Sequence, residues 1–280
     1  MIRCLLSVDV EDWFHVENLR PKVTRASWET RERRVVANTR RILDLLAEHD
    51  VHATFFVLGW VADREPALVR EIAARGHEVA SHGYGHELIY AQSADDFKED
   101  IRRARGTLES LTGQPVLGYR APNFSITGGA LAILKEEGYV YDASFFPSCF
   151  HDRYGKLDRG QGEPPPIEEV IPGFQEVRIS TLRVAGRELP WGGGAYFRVI
   201  PYWPFRAGVR RILGRTGCYL FYVHPWEIDA DQPRVHGLPM RYRLRHYTGL
   251  STVYDRLAQL LHDFRFTSIA EALVSTESLV

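Results

Sequence analysis

The stretch Gly76-His-Glu-Val-Ala-Ser81-His82-Gly-Tyr-Gly-His86 decides how this chain is read. A short strand-like run over 76–80 stops at a glycine-containing segment that carries two histidines. Two imidazoles in so tight a segment can turn toward one point, and neutral imidazole is the commonest protein ligand for a catalytic divalent metal. Such a pair needs a third ligand, and Asp9, Glu11 and Asp12 crowd the end of the first apolar run, 3–8. Either piece alone has a plain structural explanation: a solvated helix face for the histidines, a helix N-cap for the acids. Together, carboxylates where one strand ends and histidines where another ends point to an α/β metallohydrolase.

Three further polar groups stand directly after apolar runs, in Tyr119-Arg120-Ala-Pro122, Tyr141-Asp142 and Phe221-Tyr-Val-His224-Pro. Helical spacing alternates with these runs. Val35, Thr39, Ile42 and Leu46 predict a helix over 35–49, and Phe97, Ile101, Ala104 and Leu108 another over 93–111. Pro66 opens a helix that Gly76 closes, Gly138 closes one over 127–137, and two more are expected over 204–213 and 251–264. Strands are expected at 3–8, 53–58, 77–81, 116–120, 139–142, 177–184, 195–199, 218–223 and 264–268. Alternation of this kind is the signature of βα units around a mostly parallel sheet. The segment 155–173 contains three consecutive prolines and reads as a long surface excursion.

Composition narrows the class of protein. The 280 residues suit one large domain, with no break that reads as a linker. Lys plus Arg at 35 nearly balances Asp plus Glu at 36, so charge gives no case for nucleic acid or an anionic membrane. No segment approaches the ~18 apolar residues of a membrane span, and the opening apolar run is too brief for a secretory signal. Cys4, Cys149 and Cys218 are odd in number and widely spaced, and Cys4 and Cys218, in strand-like runs, read as small core residues in a reducing compartment. A cytoplasmic protein is therefore expected; its oligomeric state is left open.

In order, Leu6-Ser-Val-Asp9, Ser81-His82-Gly-Tyr-Gly-His86, Arg120-Ala-Pro122, Tyr141-Asp142 and Val223-His224 resemble the five motifs of the NodB-type polysaccharide deacetylases, carbohydrate esterase family 4. The His224-Pro-Trp-Glu run and the tail around Arg245-His-Tyr-Thr-Gly-Leu look like the subfamily found in exopolysaccharide loci, including those linked to exosortase systems. The resemblance implies a distorted (β/α) barrel with about seven strands and functional groups at the strand C-terminal ends. It also implies a single catalytic domain over 1–280, with 225–280 a family-specific extension packed on it.

The resemblance implies a zinc-dependent hydrolase that removes N-acetyl groups from a glycan or lipid-linked glycan during exopolysaccharide synthesis. His82 and His86 would hold the metal, Asp9 would act as general base, and Arg120 would pair with Asp9 and orient it. His224 would be the general acid, with Asp142 setting its tautomer. Many relatives carry two adjacent aspartates where this chain has Asp9-Val-Glu11-Asp12, so the third ligand is either Glu11 or Asp12. Glu11 shares a strand face with Asp9, two residues away.

Tyr84, Pro122, Asn123, Trp191, Gly193 and Trp226 are candidate substrate contacts, because sugar C–H faces stack on aromatic rings and glycines allow close backbone approach. His15, close behind the acids, is a candidate to enter the site. Two other readings keep the fold: an amidohydrolase opening a small cyclic ureide or imide, and an inactive carbohydrate-binding module. The second predicts loss of a ligand or base residue, yet Asp9, His82, His86, Arg120 and His224 are all present.

Overall fold

The structure, a computed structural model, describes residues 3–147, 155 and 165–277. Its first strand, β1 (Arg3–Val10), is buried almost throughout, and its alternation sets the two layers. Cys4, Leu6, Val8 and Val10 join an outer apolar cluster beneath the helices, whereas Leu5 joins an inner one with Phe56, Ala80, Tyr141 and Leu220. Ser7 and Asp9 follow Leu5 at period two, so they face inward as well. A strand buried on both faces is what a parallel sheet covered by helices requires.

The chain then runs α1 (Val35–Glu48), β2 (Thr54–Val57), α2 (Gly59–Arg64), α3 (Pro66–Ala74), β3 (Glu78–Ser81), α4 (Ala94–Thr112), β4 (Gly118–Tyr119), α5 (Gly128–Glu136) and β5 (Tyr141–Asp142). Four strands follow, β6 (Ile167–Ile171), β7 (Phe174–Val177), β8 (Thr181–Val184) and β9 (Arg187–Pro190), then α6 (Gly194–Val199), α7 (Tyr202–Thr216) and β10 (Cys218–Val223). The last elements are α8 (Met240–Tyr247), α9 (Val253–Asp263), β11 (Phe266–Thr267) and α10 (Ile269–Glu277).

The main sheet has nine strands in the order β10-β1-β2-β3-β4-β5-β7-β6, with β11 beside β1. The path from β10 to β7 is parallel throughout and accounts for the expected seven strands; β6 adds an antiparallel edge. The sheet curls toward closure where Gly193 bridges Tyr222 and the Leu220 N–H donates to Ser180 Oγ at 2.8 Å. Gly192 has to be small here, since a Cβ would sit 2.7 Å from Ile179 Cγ2. The start of α10 closes the other end, its Ile269 and Ala270 N–H groups donating to Thr54 Oγ1 and Glu78 Oε2.

Three expectations are corrected. Residues 195–199 form the helix α6 rather than a strand, and adjacent Phe197 and Arg198 are both buried on it. An apolar run this short has no decisive period, so its packing on Phe205 and Phe221 sets the outcome. The run 177–184 divides into the end of β7 and the separate hairpin strand β8. The excursion at 155–173 ends in β6, which pairs with β7; Cys149, His151 and 156–164 lie outside the described residues.

Candidate active site

Parallel register brings the motif residues to one edge of the sheet. Val8 pairs with Val223, Val57 with Ser81, Ser81 with Tyr119, and Tyr119 with Asp142. The motif residues therefore gather at this edge on two levels: His82 and Arg120 follow the Ser81–Tyr119 pair, while Asp9 and His224 stand two residues lower, because Asp9 pairs with Phe56 and Phe56 with Ala80. This is the C-terminal edge, where loops of α/β folds collect functional groups.

The loop from His82 to His86 is fixed by Asp100 on α4, whose carboxylate accepts the N–H groups of Tyr84 at 2.7 Å and Gly85 at 2.8 Å. Gly83 takes a left-handed turn at φ +70°, and a Cβ there would meet Asp100 Oδ2 at 2.7 Å. His86 is itself left-handed at φ 54°, an uncommon conformation for a side-chain-bearing residue, of the kind that concentrates at functional sites. The result is a convergent triad: ligand-capable atoms of Glu11, His82 and His86 all lie within 4.8 Å of one another, and all three residues are buried.

Several features of this triad suit a divalent cation. His82 Nδ1 lies 2.8 Å from the Arg120 carbonyl, so Nδ1 carries the proton and Nε2 keeps its lone pair. Burial lowers the His82 pKa to about 4, which keeps the ring neutral. Glu11 Oε2 approaches His86 Nε2 to 2.7 Å without forming an aligned hydrogen bond. Its other oxygen, Oε1, accepts the Trp226 indole N–H at 3.0 Å. Burial favours the protonated acid, yet His86, His224 and His82 more than offset it and hold the Glu11 carboxyl well below the usual range. A carboxylate, two neutral-capable imidazoles and an orphaned buried oxygen are a donor set that zinc-like ions accept.

Beside the triad sit two polar pairs. Asp9 Oδ1 accepts from Arg120 Nη1 at 2.6 Å, and the same nitrogen donates to Ser7 Oγ at 2.6 Å. Arg120 also donates Nε–H to the Ala143 carbonyl at 2.9 Å and packs 4.2 Å from the Phe56 ring centroid. His224 Nε2 lies 3.7 Å from Asp9 Oδ2 and 3.6 Å from Glu11 Oε1, while its Nδ1 is 2.9 Å from Glu227 Oε2. Burial lowers the His224 pKa, but Glu227, Glu11 and Asp9 together raise it to about 9. Behind Glu227, Arg198 Nε approaches Oε1 to 3.2 Å, and its other nitrogens bond the His246 and Arg245 carbonyls.

Two positions expected in the site lie elsewhere in function. Asp12 does not join the triad, because its carboxylate accepts the N–H groups of Trp13, Arg34 and Val35 and so anchors a short 3₁₀ turn and the start of α1. Asp142 does not contact His224; its oxygens accept from the Ser144 N–H and hydroxyl, and Ser144 Oγ in turn receives the Ala121 N–H. It shapes the loop after Arg120, whereas Glu227 faces the histidine. Glu227 was missed at the sequence level although it stands in the quoted His-Pro-Trp-Glu run.

The pocket over these groups, about 110 Å³, is lined by Asp9, Glu11, His82, His86, His224 and Glu227, with Asn123 and Trp226 among its walls. Four expected substrate contacts do not line it. Tyr84 gives its hydroxyl to Asp63, and Trp191 stacks on Phe205 and donates to that residue's carbonyl. Pro122 is buried at the start of a 3₁₀ turn, and Gly193 is taken up by its bridge to Tyr222. Asn18, Tyr196, Arg198, Tyr222 and Arg245 line the pocket instead. His15 is behind the triad, its ring stacked 6.4 Å from that of His86.

Fold and site together define an α/β protein whose sheet edge carries a triad suited to a cation, with the Asp9–Arg120 and His224–Glu227 pairs on either side. Comparison with known proteins narrows this. Residues 26–141 match the polysaccharide deacetylase family and residues 143–274 match a domain of unknown function, DUF3473. Over 103 residues the chain is 34% identical to the peptidoglycan-N-acetylglucosamine deacetylase of Bacillus cereus, covering 36% of this chain and 47% of that protein. It is 42% identical over 76 residues to the chitooligosaccharide deacetylase of Rhizobium leguminosarum bv. trifolii, covering 27% of this chain and 35% of that protein. It thus spans less than half the length of these curated relatives. A solved candidate polysaccharide deacetylase from Mycobacterium smegmatis superposes with a TM-score of 0.61 at 19% identity, covering 99% of this chain and 91% of that one. Over residues 26–141 these matches support a likeness to the polysaccharide deacetylase family.

The site draws on both matched segments. His82, His86 and Arg120 come from the deacetylase segment, while Arg198, His224 and Glu227 come from the segment of unknown function. Asp9 and Glu11 precede both.

Proposed function

We propose that this protein is a metal-dependent N-deacetylase that hydrolyses the acetamido group of an N-acetylated glycan or lipid-linked glycan, as one catalytic unit over both matched segments. The observation that carries this reading is the meeting of the Glu11, His82 and His86 triad with the Asp9–Arg120 and His224–Glu227 pairs in one pocket. Glu11, His82 and His86 would hold the metal, most simply zinc given one carboxylate and two imidazoles. When bound, the ion supplies an acidified water and polarises the amide carbonyl.

The chain's own residues supply the rest. Asp9, fixed by Arg120 on one oxygen, offers Oδ2 toward the pocket to take the proton of the attacking water. His224, held by Glu227 at Nδ1, presents Nε2 on the same side to protonate the departing amine. Asn123, Tyr196 and Trp226 on the walls suit a sugar ring with polar substituents.

Exopolysaccharide synthesis is the setting that the His224-Pro-Trp-Glu run and the tail motif support. A reducing compartment, the cytoplasm, fits Cys4 and Cys218, both free buried thiols. The test is elemental analysis of the purified protein joined to acetate release from a panel of N-acetylated glycans, with cyclic ureides and imides in parallel. Release of acetate dependent on about one bound divalent ion is expected. Turnover of a ureide or imide with no acetate released from any glycan overturns the reading.

A further inference from the structure

Four of the nine exposed large hydrophobic side chains among the described residues belong to two stretches: Val199 at 64% and Trp203 at 77% around the α6–α7 junction, and Met240 at 59% and Leu244 at 57% on α8. The same stretches lack acids. Residues 189–226 hold five arginines and residues 232–254 hold four, with no Asp or Glu in either. The near-balance of charge over the whole chain therefore conceals a basic region. Arg210 and Arg211 on α7 and Arg241 and Arg243 on α8 are exposed, and none of them forms an ion pair among the described residues.

The fold brings these stretches to the rim of the pocket. Arg198, next to Val199, bonds the Arg245 and His246 carbonyls and so ties the end of α6 to the last turn of α8, where Leu244 stands. Tyr196 and Arg198 of α6 and Arg245 of α8 line the pocket itself. Helix α7 ends directly before β10 and packs along it, and His224 follows the far end of that strand. Helix α7 therefore begins at the pocket edge and carries Trp203 there in its first turn. Trp203, Arg206 and Arg210 recur at spacings of three and four, on a face turned away from buried Phe205, Val209 and Ile212.

Exposed aliphatic groups and a tryptophan beside arginines without ion-pair partners have the chemistry of a surface that lies on anionic lipid. Apolar groups enter the acyl boundary, the indole sits at headgroup depth, and guanidinium groups meet the lipid phosphates. An anionic glycan could satisfy the arginines and stack on Trp203, but it leaves Val199, Met240 and Leu244 in water. Those three side chains favour lipid.

We infer that the rim formed by Val199, Trp203, Met240 and Leu244, with Arg241 and Arg243 beside it and Arg210 and Arg211 further along α7, docks the protein on an anionic membrane with its pocket toward the headgroups. The docking rests on the surface alone. Its use, presenting the pocket to a glycan carried on a lipid, rests on the deacetylase reading.

The test is sedimentation of the protein as purified with vesicles of phosphatidylcholine alone and of phosphatidylcholine mixed with phosphatidylglycerol. Wild type should bind the mixed vesicles, less tightly as salt rises, and should bind the neutral ones far more weakly. Arg241→Ala with Arg243→Ala should weaken binding about 30-fold, since each arginine near such a surface contributes about fivefold. Trp203→Ser with Leu244→Ser should weaken it about tenfold or more with the charge intact. All four side chains are exposed, so both variants should unfold thermally as wild type does and keep acetate release from a soluble glycan. Wild type that does not bind mixed vesicles, or variants that bind them equally well, overturn the docking surface. Binding weakened by the arginine changes alone, and displaced by a soluble polyuronate, assigns the rim to an anionic glycan and overturns membrane docking. Vesicle binding as expected by a protein that releases acetate from no glycan overturns the deacetylase reading and leaves the surface standing. Acetate release without vesicle binding does the reverse.

Discussion

Glu227 Oε2 accepts the His224 backbone N–H at 3.1 Å and lies 2.9 Å from Nδ1 of the same residue. One carboxylate thus fixes both the main chain and the ring of a histidine that it follows by three positions. Glu227 is buried, which disfavours its charge, but Arg198 and His224 lower its pKa, so it stays ionised. Glu227→Gln should keep the ring in place and remove most of the charge that raises the His224 pKa to about 9. The basic limb of the rate profile should then move to lower pH, with a loss of about 10–100-fold typical of such supporting partners. Stability has a matching sign. A raised histidine pKa contributes fully below ~6.5 and is lost as pH climbs through about 9, so wild type should lose stability across that window and Glu227→Gln much less. Kinetic profiles and urea unfolding at several pH values measure both.

Substituting the two acids after Asp9 should separate their roles. Glu11→Ala, like His82→Ala or His86→Ala, should abolish stoichiometric metal. Asp12→Ala should retain metal but lower stability by roughly 1–3 kcal/mol, because three buried N–H groups lose their acceptor. Elemental analysis beside thermal unfolding decides it; metal lost from Asp12→Ala and kept in Glu11→Ala would reverse the assignment.

Much of this site was legible because each motif residue stands at or near the end of an apolar strand, and the parallel sheet then gathers those strand ends at one edge. Leu5-Leu-Ser-Val-Asp9 could be placed from its alternation alone. Adjacent sequence could not say whether Glu11 or Asp12 turns inward, since the strand continues to Val10 and carries Glu11 on the face of Asp9. The partner of His224 was misplaced on Asp142 because a carboxylate at a strand end looks available until its hydrogen bonds are seen. Tyr84 and Trp191 were misread for a similar reason: an aromatic next to glycine can pack backward on a helix as well as face a ligand. Helix α6 was hidden by a five-residue run with no decisive period, and α8 by its charge, since Met240 and Leu244 on it are exposed.

The Asp9–Arg120 pair should show the asymmetry of buried ions. Arg120→Ala takes from buried Asp9 its hydrogen-bonded counter-charge, leaving only His224 at 3.7 Å, and should cost about 3–5 kcal/mol in stability. Asp9→Asn keeps a hydrogen-bonding group of the same shape and should fold and bind metal, while turnover falls on the order of 10²–10⁴-fold. Near wild-type turnover from Asp9→Asn would remove it from the proton-transfer role.

Asp100 never touches the pocket, yet it should matter to metal binding. Its carboxylate holds Tyr84 and Gly85 N–H, and burial raises its pKa, so its place at the centre of the loop is bought against desolvation. Asp100→Ala frees the loop that carries His82 and His86, and metal affinity should fall about 10–100-fold as with other supporting shells. Metal affinity equal to wild type, with the variant folded, would mean that the loop keeps its shape without this anchor.

Acid should destabilise the fold through its buried neutral histidines. Burial lowers the pKa of His77 to about 4 and of His246 to about 3, whereas both titrate near 6.5 when unfolded. Between those values the unfolded chain binds more protons than the folded one, so stability rises with pH up to ~6.5 and falls on acidification. Asp12 and Asp142 act in the opposite direction: burial raises both to about 6, and their contribution is fully present below the unfolded carboxylate pKa of ~3.9 and lost as pH rises through about 6. The histidine shifts are the larger, so the net slope from pH 4 to 6.5 should be upward. His246 packs flat on Trp226 at 4.6 Å and donates Nε2–H to Gln232 at 2.8 Å, so protonation would place a charge on the buried, unpartnered Nδ1 near the Arg198 guanidinium. His246→Phe keeps the stacking without a titratable ring, so urea unfolding should show a flatter pH dependence than wild type, with the difference growing toward pH 4. Parallel curves for the two proteins would remove His246 from the acid response.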